Sequence, residues 1–503
     1  MCLNRGDRAV QPRAVRPPAP VIDPDTALPS PLLLAPQWIA PVAADADPGQ
    51  APLPGEASVP GEALASAGTG AAHGPATLLT GHAVVIEGER IAAVLPLAEA
   101  QRRYPQAETL PLPEHLLVPG FVNLHTHAAM ALLRGIGDDL PLEQWLSQRI
   151  WPLESHLVGA RFVHDGALLA FHEMLLGGVT CVNDMYFFPE SALEAALLLG
   201  MRSAQGIIVI DFPSAYASDP GEYLRKGLEL RDRMRGEPLV SFCLAPHAPY
   251  TVGDDSLRRV ATLSRELGLP VHIHVHETQA EIEQSLARHG VRPLERLASL
   301  DLVGPELIAV HAVHLSDSEL HLLAGCGASV AHCPHSNLKL ASGIAATARM
   351  LELGVGVGIG TDGSASNNRL DLLGEARLAS LLAKGTSGDA QAWPAARTLR
   401  AMTLDGARAL GLDERIGSIE PGKQADLVAI DLSAPELRPV YDPISHLIHS
   451  CGREHIQHVW VAGRHVVRKR QLTDDIVRNV VAEVVGRTAV WHNRVGEILS
   501  GQA

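Results

Sequence analysis

Downstream of Gly120 the chain alternates short apolar runs with amphipathic or Ala/Leu-rich stretches. The apolar runs fall at 121–125, 178–184, 205–211, 240–245, 271–276, 307–311, 329–332 and 355–361. Each has strand length and is too short for a buried helix. Between them, segments such as 191–201, 254–267 and 317–324 carry helical patterning. Eight such β/α units over roughly 250 residues match the size and rhythm of a (β/α)8 TIM-like barrel. A doubly wound open α/β sheet is the competing architecture, but no G-x-G-x-x-G follows the first strand.

Outside that region the pattern is β-like again. Residues 31–42 (PLLLAPQWIAPV) predict a first strand, strand character returns at 78–79, and 82–94 reads as a hairpin around the Glu87-Gly88 turn. Residues 416–430 and 458–464 turn back to β character after the barrel. The expected second unit is a small β-sandwich domain formed from both chain ends. Residues 1–27, rich in Pro, Arg and Asp, predict a disordered extension. Residues 28–118 then form the N-terminal part of the sandwich, with a low-complexity insertion at 43–74. The barrel occupies 119–412, and 413–503 supply the rest of the sandwich and a terminal helix.

Composition narrows the function classes. The chain has 503 residues, 46% hydrophobic and 19% charged, enough for a large core. Its 41 basic and 56 acidic residues leave −15, which argues against a nucleic-acid partner. Six scattered cysteines without a C-x-x-C pair fit a reducing compartment. There is no apolar signal core at the N-terminus and no run of ~20 apolar residues, so neither secretion nor a membrane span is expected. The expected location is the cytoplasm.

The chemistry lies at the strand ends, where this barrel type builds its site. Strand one ends in His125-Thr126-His127; side chains two apart on a strand share a face and can address one ion. Strand four runs into His247, and strand five reads His272-Ile273-His274-Val275-His276-Glu277. Strand six ends in His311-Ala312-Val313-His314, seven in His332-Cys333-Pro334-His335, and eight in Thr361-Asp362-Gly363. Singly, each has an ordinary reading as a hydrogen-bonded histidine, a turn or a helix start. Ligating groups ending nearly every strand on one face point instead to a metal site. Two histidines, a third from strand five and a carboxylate from strand eight make an N3O set suited to catalytic zinc. Alternation alone leaves His272, His274 and His276 equivalent. No lysine lies between His127 and Lys226 or between Lys226 and Lys339, which removes a modified bridging lysine and leaves one metal.

These motifs resemble the amidohydrolase superfamily, and within it the chlorohydrolase-like deaminases typified by 5-methylthioadenosine/S-adenosylhomocysteine deaminase. The similar segments are PGFVNLHTHAAMALLRG with DDLPLEQWL and WPLE (119–154), APHAPY (245–250), HVHET (274–278), HSNLKLASG (335–343), GTDGSASNN (360–368) and EPGKQADLV (420–428). The N-terminal extension and the 43–74 insertion depart from the pattern and fall in the β domain. The resemblance implies His125, His127, His274 and Asp362 as ligands of one Zn2+ per subunit, with Fe2+ or Mn2+ as alternatives. It implies Glu277, His311 and Asp362 in catalysis, with Glu154, His247, Glu277 and Asp362 meeting substrate. His314, the near rival of His311, is read as structural.

The implied reaction is hydrolytic deamination of an adenine nucleoside: 5′-methylthioadenosine, S-adenosylhomocysteine or adenosine. Zinc lowers the pKa of water toward ~7, Asp362 shuttles the water proton, Glu277 protonates the ring nitrogen beside the attacked carbon, and His311 stabilises developing charge. The alternative is deamination or dechlorination of another N-heterocycle, guanine-like or an s-triazine. Glu154 separates the two, since only a nucleoside offers ribose hydroxyls. A catalytically silent scaffold is disfavoured because no ligand or proton-transfer residue is missing, and the P-C-x-x-C of cytidine-type deaminases is absent. A homo-oligomer is expected from the resemblance. Arg134 and Arg149 are the nearest cations in sequence for the carboxylate of S-adenosylhomocysteine, and motif places neither.

Overall fold

The computed structural model describes residues 31–43 and 78–501. The expected extension at 1–27 lies outside these residues, as does all but residue 43 of the insertion at 43–74. Eight parallel strands follow one another in chain order: Phe121–Thr126, Val179–Asp184, Arg202–Val209, Val240–Pro246, Val271–Val275, Leu307–His311, Ser329–His332 and Gly356–Ile359. Every one overlaps a predicted strand. Helices cover the outer face, so both faces of each strand are buried, which is why the strands read as apolar runs without alternation. Val122, Leu124, Cys181, Ala204, Ile308 and Val310 form one buried cluster drawn from strands on opposite sides, filling the barrel interior.

The seam between the last and first strands is closed by side chains as well as backbone. Thr361 N–H donates to Asn123 Oδ1 at 3.0 Å, and Asn123 Nδ2 donates to Thr361 Oγ1 at 2.8 Å. Next to them Asp362 N–H donates to the His125 carbonyl at 3.0 Å. Closure therefore brings residues 125 and 362 together across 237 positions of sequence.

A second sheet of nine strands, largely antiparallel, draws on both ends of the described chain. Its two halves join where Leu427–Asp431 pairs antiparallel with Glu108–Pro119. The predicted hairpin is present, with Glu87 opposite Arg90. Strand Glu108–Pro119 has no counterpart in the sequence reading, because Pro111, Pro113 and Pro119 disguise it. The third barrel strand also begins earlier than its apolar run, at Arg202 rather than 205. Arg202 and Ser203 are polar yet fully buried there. Arg202 forks onto Asp426 with two bonds of 3.1 Å, and Asp426 also accepts from Ala462 N–H at 2.7 Å. This pair ties the barrel to the second sheet.

The terminal helix Asp475–Leu499 is capped by Asp474, which accepts from the Ile476 and Val477 amides. It docks through Asp165 on helix Ala160–Leu176, which accepts from the Arg487 guanidinium and from Trp491 Nε1. That helix in turn presses on the segment after His127. A Cβ at Gly166 would lie 2.2 Å from the Ala129 carbonyl oxygen, so only glycine permits the approach. Among the described residues no helix is long and apolar enough to cross a membrane.

Truncating one partner of a buried ion pair leaves the other charge unsatisfied, at about 3–5 kcal/mol. Arg202→Ala is therefore expected to lower unfolding free energy by that amount, read from the urea midpoint. The double replacement Arg202→Met/Asp426→Leu should lose distinctly less.

Candidate active site

At the C-terminal mouth of the barrel, Nε2 of His125 and of His127 lie 3.2 and 3.3 Å from Asp362 Oδ1, and Nε2 of His274 lies 3.3 Å from that of His127. The outer nitrogens are occupied. His127 Nδ1 donates to the Met185 carbonyl at 2.6 Å, and His274 Nδ1 donates to the His247 carbonyl at 2.7 Å. His125 Nδ1 faces Nε2 of His272 at 2.9 Å. With the protons held on Nδ1, each Nε2 directs a lone pair inward. Burial pushes the His125 pKa down to about 3 and that of His274 well below the usual imidazole range, so neither carries a proton to share. His125 Nε2 is buried and has no hydrogen-bond partner.

Three imidazole lone pairs and a carboxylate oxygen thus face one another without a proton between them. This is repulsive unless a cation sits among them, and the donor set fits a catalytic zinc. The carboxylate is itself prepared. Asp362 Oδ2 accepts from Ser336 and Ser366 hydroxyls at 2.6 and 2.7 Å, and Oδ1 accepts from Gly363 N–H at 2.7 Å. Burial alone would raise the Asp362 pKa; the His125 contact and the neighbouring His125, His127 and His311 rings outweigh it and hold the group well below the usual range.

His311 stands beside this set. His125, His274 and His311 also form a group with mutually close nitrogens. Nδ1 of His311 lies 2.8 Å from Asn337 Oδ1, and its Nε2 is 3.8 Å from Glu277 Oε2. Glu277 is buried, its pKa raised by desolvation, with Ser342 Oγ at 3.4 Å. His311 and Asp362 both adopt left-handed backbone, φ 69° and 58°. Such conformations cost of order 1–3 kcal/mol each in non-glycine residues and concentrate at functional sites.

The neighbours His272 and His276 separate from His274. His272 backs His125 from inside the barrel. His276 ends the strand at φ 56°, which breaks alternation and turns its ring outward. There it accepts from Leu294 N–H at 3.0 Å and lies 3.2 Å from Glu319. His314 also points away, donating to the Ser342 carbonyl at 2.6 Å.

A cleft of about 110 Å³ leads to the cluster. His127, His274, Glu277, His311 and Asp362 line its floor, with His247 and Glu154 on its walls. His247 holds Nδ1 2.9 Å from Thr251 Oγ1, and burial lowers its pKa to about 4. Glu154 sits on helix Trp151–Leu157, where burial pushes its pKa up to about 7, and it accepts from Tyr186 OH at 2.7 Å. The remaining walls are apolar, with Leu142, Trp145, Ile150, Ile208 and Phe212 among them. Among the described residues no lysine or arginine lines the cleft. Arg134 instead pairs with Glu173 at 2.6 Å, and Arg149 is exposed.

Sequence reasoning left His272 an equal candidate with His274 and His276, and gave no role to Tyr186, Ser336, Asn337, Ser342 or Ser366. Four of these lie inside HSNLKLASG and GTDGSASNN, so the motifs flagged their neighbourhood without assigning them roles.

The model of the amidohydrolase family matches residues 116–466, and a short match to an imidazolonepropionase-like composite domain of bacteria covers 83–107. A protein of Teredinibacter turnerae named 5-methylthioadenosine/S-adenosylhomocysteine deaminase is 46% identical, over 82% of this chain and 92% of its own length. A 5′-deoxyadenosine deaminase of Methanopyrus kandleri is 42% identical, over 71% of this chain and 82% of its own. The crystal structure of an adenosine deaminase from Xanthomonas campestris with bound zinc superposes with a TM-score of 0.83 at 45% identity, covering 92% of this chain and 98% of that one.

Residues that orient a metal-binding histidine typically contribute about 10–100-fold to metal affinity. His272→Phe is expected to weaken zinc binding by that factor in competition with a chelator of known affinity, whereas His314→Phe should leave it unchanged.

Proposed function

The chain belongs to the amidohydrolase family, and we propose that it hydrolyses the 6-amino group of an adenine nucleoside, consuming water and releasing ammonia and the 6-oxopurine nucleoside. It is a hydrolytic deaminase acting on a C–N bond. The observation that carries the reading is the convergence in one cleft of an N3O donor set, a desolvated carboxyl and a second carboxylate on the wall.

His125, His127, His274 and Asp362 are the proposed holders of one zinc ion. Zinc, when bound, makes water acidic enough to react near neutral pH. Asp362 Oδ1 faces the ligand nitrogens and accepts the proton that water gives up, later delivering it to the departing amine. The two serine hydroxyls on Oδ2 fix that carboxylate while it exchanges the proton. Glu277, whose pKa burial raises above the usual carboxylate range, delivers a proton to the ring nitrogen beside the attacked carbon and makes that carbon electrophilic. His311, steadied by Asn337, stabilises the charge that develops on oxygen. His247 and Glu154 hold the substrate, Glu154 accepting from ribose hydroxyls.

The apolar upper walls favour a substrate without a charge on its 5′ group. A methylthio substituent buries there readily, whereas the carboxylate of S-adenosylhomocysteine meets no cation. 5′-Methylthioadenosine is accordingly the best-fitting member of the class.

The test is ammonia release by zinc-loaded protein from adenosine, 5′-methylthioadenosine, S-adenosylhomocysteine, adenine and guanine. The highest kcat/KM is expected with 5′-methylthioadenosine, at least about tenfold above S-adenosylhomocysteine, the cost of one unpaired buried charge being well over ~1.4 kcal/mol. Activity confined to free bases, or found only with an s-triazine, would overturn the nucleoside reading. Glu277→Gln should lose turnover by a factor of about 10²–10⁴ while retaining zinc; loss of the metal along with turnover would remove Glu277 from its proposed role.

A further inference from the structure

Glu154 is the one carboxyl group among the described residues of the cleft wall, above the floor that holds Glu277 and Asp362, and it is held by a single hydrogen bond. Among the described residues only Tyr186 OH donates to it, at Oε1. The helix that carries Glu154 follows a π-helical turn, Leu146–Ile150, and begins at the exposed Trp151. Tyr186, by contrast, is rigidly placed. It is 3% exposed, sits two residues beyond the second barrel strand, and packs edge-on against Phe187 with ring centroids 5.5 Å apart. The preceding residue, Met185, offers its carbonyl to Nδ1 of His127. One dipeptide therefore anchors a proposed metal ligand through its backbone and the wall carboxylate through its side chain.

We propose that Tyr186 is the positioning residue for nucleoside recognition: by occupying Glu154 Oε1 it aims Oε2 at the sugar hydroxyls and fixes their distance from the metal-binding centre. The inference rests on the reading of Glu154 as the ribose contact. Tyr186 takes no part in the bond changes. Its phenol keeps its proton, since burial and the adjacent Glu154 carboxylate raise its pKa well above the usual range. The hydroxyl is thus a permanent donor to Glu154, with its own aromatic body filling the cleft wall. A tyrosine serves here better than a serine or lysine because the ring carries the hydroxyl across the wall without a flexible stem.

Tyr186→Phe keeps the ring and removes the bond. In the zinc-loaded full chain, KM for adenosine is expected to rise about 10-fold or more, as for loss of a hydrogen bond to a charged group, with kcat changed less than about threefold. With 2′,3′-dideoxyadenosine, which offers no hydroxyl pair, both constants should match those of the unaltered protein. Zinc content should not change. In a Glu154→Gln background the same replacement should add little, since the two residues act as one unit. Tyr186→Met, which lacks the hydroxyl but fills similar space, should repeat the pattern. Equal losses on adenosine and the dideoxy analogue, or an unchanged ratio between them, would overturn the proposal. An unaltered protein that deaminates adenosine without preferring it to the dideoxy analogue would overturn the ribose role of Glu154 and this inference with it. An unaltered protein inactive on every adenine nucleoside would overturn the proposed function itself. An active, discriminating protein whose Tyr186→Phe variant keeps the ratio sinks only the role of Tyr186.

Discussion

Four lone pairs point at one another across the mouth of the barrel, and much of the surrounding structure exists to hold them there. Neutral imidazoles would relieve this repulsion by rotating or by moving a proton to Nε2. Met185, His247 and His272 prevent it, each engaging the far nitrogen of one ring. Two serines and the Gly363 amide do the same for the Asp362 carboxylate. Such an arrangement is preorganised for a cation, because its orientational cost is met by the fold before the ion arrives.

Barrel closure is the step that makes this possible. His125 and Asp362 become neighbours only when the eighth strand lies beside the first, and the Asn123–Thr361 bonds lock that seam just below these two groups. Left-handed backbone at His311 and Asp362 then lifts their side chains out of strand alternation and into the mouth. The strain is tolerated because the flanking strands are buried on both faces and cannot relax.

Supporting contacts reach outward from this centre. The terminal helix clamps Asp165, the helix bearing Asp165 presses Gly166 onto the backbone after His127, and Arg202 with Asp426 fastens the barrel to the second sheet. The cleft above combines this polar floor with largely apolar walls, on which Glu154 and His247 are placed.

The sequence by itself determined the eight β/α units, whose number and lack of a G-x-G-x-x-G after the first strand favoured a barrel over a doubly wound sheet, and the histidines and carboxylates at the run ends located the mouth. It also exposed the hairpin at Glu87-Gly88 and the contribution of both chain ends to a second β unit. Other features were hidden for physical reasons. Strand Glu108–Pro119 carries three prolines, and the third barrel strand opens with Arg202, whose carboxylate partner Asp426 lies 224 positions away. His272, His274 and His276 are equivalent by periodicity; the turn of the backbone at His276 sets that ring apart, and contacts with His125 and with His127 separate His272 from His274. The tautomer-fixing contacts, the serine pair on Asp362 and the bond between Tyr186 and Glu154 join residues from different strands and helices. Local pattern carries no record of such pairings, because they arise when the chain closes on itself.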